Sequence, residues 1–182
     1  MEKPTVIHLI TSFKQGGAEK FLATILPTLT DTENIAVTLE SETELSRALQ
    51  TKGITCYALN SGKHFSPKSI INFYTIIKRH KPKIIITYLI HADIFGRIFG
   101  KLFSKANIVC FLRSSLDKAK YEIFFLIERL THRLVDKYFA VSQATKKRYV
   151  AKAGIAEDKI TVIPNGIKLE NFPLGATQPL KT

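Results

Sequence analysis

The chain has 182 residues, 45% of them apolar, with neither Gly nor Pro in excess; this fits one globular domain with a proper core and excludes a disordered chain. The formal charge of +12 is unevenly placed: residues 1–60 carry 5 Lys and Arg against 7 Asp and Glu, and residues 61–182 carry 22 against 8. A surface so basic attracts nucleic acid, anionic lipid or phosphorylated ligands, and charge alone does not choose among them.

Thr5–Ile10 is a continuous apolar run and predicts a first strand. Ala18, Phe21, Leu22, Ile25, Leu26 and Leu29 recur at helical spacing, predicting a helix over 17–29. A second strand is expected over 35–39, a helix over 42–52 stopped by Gly53, and a third strand over 54–59. Pro67 opens the next helix, which closes at Lys81-Pro82. Then come a strand over 83–88, a helix over 92–103, a strand over 107–112, a long helix over 118–135 and a strand over 138–141. Ser142 is a good N-cap for a helix to about Ala153, and Ile160–Ile163 forms the last strand before the turn signal Pro164-Asn165-Gly166.

Strict alternation of helices with continuously apolar strands predicts an α/β fold: a Rossmann-like, doubly wound parallel sheet of about seven strands. Ligands of such sheets bind at the carboxyl ends of the strands, near the point where the strand order reverses. Cys56 and Cys110 sit far apart in strand-like runs and read as buried free thiols. Apolar runs are broken by Lys, Arg or Gly before ~18 residues, so no transmembrane helix is expected. Val6–Ile10 is too short for a signal-peptide core, and a cytoplasmic location is expected. Residues 173–182 lose the pattern and read as a linker or the truncated start of a further domain.

The first strand runs into Thr11-Ser12-Phe13-Lys14-Gln15-Gly16-Gly17-Ala18-Glu19. Adjacent glycines at a helix start let a ligand approach the backbone, and free N–H groups there favour an anion. Equally, they form a tight strand-to-helix turn. Neither a G-x-G-x-x-G dinucleotide fingerprint nor a G-x-x-x-x-G-K-[ST] phosphate loop is present, which argues against a nucleotide-dependent oxidoreductase. Glu19 reads first as a first-turn carboxylate favoured by the helix dipole.

The strand followed by Gly16-Gly17-Ala18-Glu19 resembles the start of the family 4 glycosyltransferases. His91-Ala92-Asp93-Ile94-Phe95-Gly96-Arg97 is similar to a family segment after the fourth strand. Ala140-Val141-Ser142, Gly154-Ile155 and Lys159–Ile167 are similar to the segment where the N-terminal domain of that family hands over to the C-terminal one. The resemblance covers roughly residues 5–172. It implies that residues 1–172 are the N-terminal, acceptor-side half of a GT-B enzyme. Such an enzyme transfers a sugar from a nucleotide-sugar to a lipid-linked or polysaccharide acceptor. It retains anomeric configuration, needs no metal or cofactor, and works in cell-envelope polysaccharide synthesis. On this resemblance the isolated chain is inactive without a donor-binding half. A non-catalytic glycan- or membrane-binding module is the alternative.

The same resemblance assigns roles. Gly16 and Gly17 would face the donor phosphates, whose charge grows as the nucleoside diphosphate leaves. His91 follows the fourth strand and reads either as an active-site side chain or as a cap of the next helix. Arg113 follows the fifth strand where many relatives carry a His beside the transferred sugar; being permanently charged, it suits an anionic group and not a base. Lys14, Ser142 and Asn165 complete the cleft candidates, the last two also reading as a helix cap and a turn. Lys168 stands where relatives often have Asp.

The charge has its own reading. Arg97, Lys101 and Lys105 stand beside Ile94, Phe95, Ile98, Phe99 and Leu102, and Lys78–Lys83 follows the apolar segment Ile70–Ile77. Basic charge beside apolar residues is what association with an anionic membrane surface uses, and would make the protein peripheral. The alternative is a core helix with a solvated basic end. No nucleic-acid-binding module is visible, so nucleic acid is not an expected partner.

Overall fold

The computed structural model describes residues 3–14, 16–61, 65–112 and 122–164. The chain runs β1 (Thr5–Ile10), α1 (Gly17–Ile25), β2 (Glu33–Thr38), α2 (Glu44–Gln50), β3 (Thr55–Ala58), α3 (Pro67–His80), β4 (Ile84–Tyr88), α4 (Ile90–Phe103), β5 (Asn107–Leu112), α5 (Glu122–Thr131), β6 (Lys137–Ala140), α6 (Gln143–Ala153) and β7 (Ile160–Val162). Seven strands form one parallel sheet in the order β3-β2-β1-β4-β5-β6-β7. The chain first winds outward from β1 to β3. It then crosses back through α3 and winds the other way, so right-handed crossovers place α1 and α2 on one face and α3–α6 on the other. Each face buries its own core. Leu22, Leu26 and Leu49 pack on Ile10 and Ala36 under α1 and α2. Phe73, Phe95, Phe125 and Tyr149 pack on Ile7, Ile85 and Ile108 under α3–α6.

The boundaries that shift do so for local reasons. The first helix ends at Ile25 and tightens into a 3-10 turn over Leu26–Thr28, because Pro27 has no N–H to continue the ladder. β2 starts two residues before its apolar run, at Glu33, paired with Thr5. α2 is set by a capping box: Ser46 N–H donates to Thr43 Oγ1, and Thr43 N–H donates to Ser46 Oγ. The expected long helix is described over Glu122–Thr131 and ends in a 3-10 turn, His132–Leu134. Cys110 is buried as expected, but Cys56 is only half-buried, because β3 is an edge strand.

α4 approaches the sheet closely. A β-carbon on Gly96 would collide with Thr87 and Leu9, and one on Gly100 would stand 2.8 Å from Ile108 Cδ1. These two small positions, one turn apart, draw the helix down between β1, β4 and β5. That approach overturns one sequence expectation. Arg97 does not belong to an exposed basic stripe: it is 0% exposed. The helix carries its side chain sideways, under the surface, towards α5.

Candidate functional site

The strand order reverses between β1 and β4, so the crevice expected to hold a ligand opens at their carboxyl ends. Three segments meet at this edge of the sheet: the residues after β1, the β4–α4 turn, and the end of β2. Thr11 ties them together. Its carbonyl accepts from Glu40 N–H at 3.1 Å and from Thr38 Oγ1 at 3.2 Å. Its hydroxyl accepts from Ala92 N–H, in the first turn of α4, at 3.3 Å. The loop after β1 is therefore hydrogen-bonded to both neighbouring strand ends.

Gly16 is the N-cap of α1 and has an extended backbone. The Glu19 carboxylate folds back over it and occupies the space a Gly16 β-carbon would take. Glu19 is itself buried, so its first duty is structural: a carboxylate on the positive end of α1. Gly17 differs. A β-carbon there would meet nothing within 4 Å, and the residue is exposed. Packing within the chain does not require glycine at 17, which leaves its backbone open to an incoming group. Lys14 lies on the same edge, its Nζ 2.6 Å from Glu40 Oε2. Exposed pairs of this kind contribute only about 0–1 kcal/mol, so the lysine is easily drawn to an anion.

His91 occupies the first turn of α4, exposed at the carboxyl edge, its ring edge-on to Phe124 at 5.9 Å. It does not cap the helix; the cap residue is Leu89, without a side-chain bond, and Thr11 takes the Ala92 N–H. Leu89 has φ +73°, a conformation that L side chains rarely adopt. Such strain costs about 1–3 kcal/mol and is common where a strand is turned sharply at a site. Lys14, Gly16 and Gly17 follow β1 and His91 follows β4, so all four stand on the carboxyl edge of the sheet, with Lys14 reaching towards the end of β2. Ser142 lies two strands away and caps α6, accepting from Thr145 N–H at 3.1 Å. Arg113, Asn165 and Lys168 lie outside the described residues. Among the described residues no group of three or more His, Cys, Asp or Glu side chains could hold a metal ion. Nor is any helix among them long and apolar enough to cross a membrane.

Two buried polar clusters lie one on each face of the sheet, and the sequence pattern gave little sign of either. In the first, His8 Nε2 lies 3.0 Å from Asn34 Oδ1 and Nδ1 lies 3.1 Å from Tyr88 Oη. Asn34 Nδ2 donates to the Leu29 and Thr32 carbonyls, so its Oδ1 is an acceptor. His8 is then a neutral ring donating from Nε2, and Tyr88 donates to Nδ1. Burial pushes its pKa down to about 4, against the opposing hydrogen bond of Asn34.

The second cluster lies beneath His91. Arg97 Nη1 pairs with Glu128 Oε1 at 2.6 Å and donates to Thr131 Oγ1 at 3.1 Å, while Nε donates to the Asp93 carbonyl at 3.0 Å. Thr87 donates to Asp93 Oδ1 at 2.6 Å, and Tyr138 to Glu128 Oε1 at 2.7 Å. Burial pushes the Asp93 carboxyl up to about 7, although Arg97 and the Thr87 hydrogen bond both pull it down. Burial also keeps the Cys110 thiol, beside Arg97 and Thr87, protonated. A cavity of about 10 Å³, lined by Asp93, Glu128, Phe124 and Tyr149 among others, borders the cluster. The one sequence hint was an acid and an arginine four residues apart in an otherwise apolar helix.

Comparison with known proteins places this geometry. The model of Glycosyltransferase Family 4 matches residues 15–171. An Escherichia coli UDP-Gal:alpha-D-GlcNAc-diphosphoundecaprenol alpha-1,3-galactosyltransferase is 26% identical over 113 residues, 58% of this chain and 28% of that protein. The crystal structure of Anabaena Alr3699/HepE in complex with UDP superposes with a TM-score of 0.75 at 20% identity, over 91% of this chain and 45% of that one. A glycosyltransferase from Rickettsia africae gives 0.70 at 19% identity, over 98% and 47%. The chain therefore spans less than half the length of these relatives, and at such identities the structural likeness shows the fold alone.

Proposed function

Because the chain belongs to Glycosyltransferase Family 4, we propose that it is the acceptor-side half of a GT-B enzyme that moves a sugar from a UDP-sugar to an acceptor linked to a lipid diphosphate. The reading rests most on one observation: the open backbone of Gly17, at the start of α1 and on the switch-point edge, inside the matched segment. In the reaction the anomeric carbon parts from the nucleoside diphosphate and bonds to an acceptor oxygen. The leaving diphosphate gains negative charge, and backbone N–H groups at a helix start stabilise that charge without reorganising. Lys14 would supply a second positive group on the same edge. The donor is held mainly by a second domain facing this crevice, and transfer proceeds with retention and without a metal. The lipid-linked acceptor places the enzyme in cell-envelope polysaccharide synthesis, on the cytoplasmic side of a membrane.

The test separates binding from turnover. The 182-residue chain is titrated with a short-chain GlcNAc-diphospho-lipid and, separately, with UDP-galactose and UDP-glucose. The acceptor is expected to bind, the UDP-sugars to bind weakly, and no multiple turnover to occur until a donor half is joined. With the donor half present, turnover should survive a chelator and the product should keep the donor's anomeric configuration. Multiple turnover by the chain alone, or no acceptor binding, overturns the reading.

A further inference from the structure

Helices α3, α4 and α5 pack side by side on one face of the sheet. Each turns large apolar side chains to solvent: Ile71 and Tyr74 on α3, Leu102 on α4, Leu126 and Leu130 on α5. Ile71 is 62% exposed, Leu102 70% and Leu130 74%. A scattered apolar residue on a surface needs no explanation, but a set shared by neighbouring helices marks a contact surface.

Charge identifies the partner. Between Phe65 and Leu112 the single acidic residue is Asp93, and it is buried. Lys78, Lys81, Lys83 and Lys105, all exposed, line an open cavity of about 600 Å³ where the C-terminal ends of α3 and α4 meet. Among the described residues none of these four lysines has an ion-pair partner. Lys101, on α4, is instead paired with Asp136. Lys78 Nζ stands 5.4 Å from the centre of the exposed Tyr74 ring, so cation and apolar surface are held together.

We propose that the α3–α5 face docks on an anionic phospholipid bilayer, with Lys78, Lys81, Lys83 and Lys105 meeting lipid phosphates and Ile71, Tyr74 and Leu102 entering the headgroup boundary. Apolar insertion and cationic attraction are the two contributions that hold a protein at such an interface. The four lysines gather where β4 and β5 begin, at the amino edge of the sheet, so a face docked in this way leaves the carboxyl-edge crevice away from the lipid phosphates. The proposal is independent of the transferase reading: vesicle binding without acceptor binding, or the reverse, tells the two apart.

Sedimentation of the 182-residue chain with vesicles tests it. One set is phosphatidylcholine alone; the other is equal parts phosphatidylcholine and phosphatidylglycerol. The chain should partition onto the anionic vesicles and lose much of that binding when salt is raised well above ~0.15 M, where screening already acts over ~8 Å. Two variants with the same change in net charge locate the surface. Lys81→Glu with Lys83→Glu should lower partitioning by about tenfold or more. Lys20→Glu with Lys52→Glu, on the opposite face, should change it less than about threefold. Leu102→Ser should weaken what binding survives at high salt. All these positions are exposed, and circular dichroism checks that each variant folds; alanine pairs should give the same ranking. Equal partitioning onto both vesicle types overturns the proposal. So does equal loss from both charge pairs, or self-association through this face without vesicle binding.

Discussion

Glu19 holds the place that a side chain on Gly16 would need, so the first turn of α1 is built around one missing β-carbon. Gly16→Ala pushes that carboxylate off the helix start and exchanges a good N-cap for a poor one. The expected loss is about 1 kcal/mol of stability, read as a lower urea midpoint.

Gly17 gives the opposite expectation, because nothing within 4 Å would meet a β-carbon there. Gly17→Ala should leave stability unchanged or raise it by up to about 1 kcal/mol through the unfolded chain. In an enzyme carrying its donor half it should lower kcat/KM, because the new methyl stands where the diphosphate approaches. Full activity with unchanged stability would mean that the open space at Gly17 is not used by substrate.

Removing Arg97 strands the Glu128 carboxylate in the core and leaves the Asp93 backbone carbonyl without its donor. Arg97→Met should destabilise the fold by about 3–5 kcal/mol, the range for breaking a buried ion pair. Adding Glu128→Gln removes the charge left behind and should recover part of that loss. Chemical denaturation of both variants, compared at unchanged m, decides; equal midpoints for single and double variants would count against the pairing.

Two buried groups titrate with opposite signs. The folded pKa of Asp93 is raised to about 7 from 3.8, so its contribution to stability is complete below about pH 4 and is lost as pH rises through 7. The folded pKa of His8 is lowered to about 4 from 6.5, so its contribution is complete above 6.5 and is lost as pH falls towards 4. The two slopes partly cancel in the native chain. Asp93→Asn should remove the first, so that the native chain loses stability relative to it on going from pH 4 to 7. His8→Gln should remove the second, with the native chain losing ground as pH falls from 6.5 to 4. Urea titrations across that range should show the two differences running in opposite directions.

Arg113 lies outside the described residues, and its prediction stands on sequence position after β5. In an enzyme carrying its donor half, Arg113→Ala should lower kcat/KM by roughly ten- to over a hundredfold, the equivalent of a charge-assisted bond of ~1.5–3 kcal/mol. Arg113→Lys keeps the charge without the planar fork and should retain part of the activity. Wild-type kcat/KM in Arg113→Ala would make Arg113 a surface loop residue.

The sheet was legible because its strands are apolar on both faces: β1 and β5 fall on the predicted residues, and the other strands move by one or two residues at one end or both. The diglycine loop and the Ser142 cap were legible because backbone geometry restricts which residues can stand there. What the sequence hid was polar and buried. Asn34 looks like a turn residue until His8, on another strand, is seen to need its oxygen. Arg97 looks like a solvated cation until Gly96 and Gly100 let α4 sink far enough for Glu128, 31 positions later, to reach it. Such partners are distant in the chain and meet only after folding, so no local pattern records them.

β1 is made early and ends up in the middle of the sheet. During synthesis β2 can join it once Glu33 has emerged, but its other neighbour, β4, does not begin until Ile84. Until then one side of Val6–Ile10 offers a row of unpaired backbone groups on a strand without a charged side chain apart from what His8 can carry. An edge of that kind recruits strands from other chains. A nascent chain paused between β3 and β4, or a fragment ended there, should therefore need a holding chaperone, whereas one that has passed Tyr88 can close the gap with its own next strand.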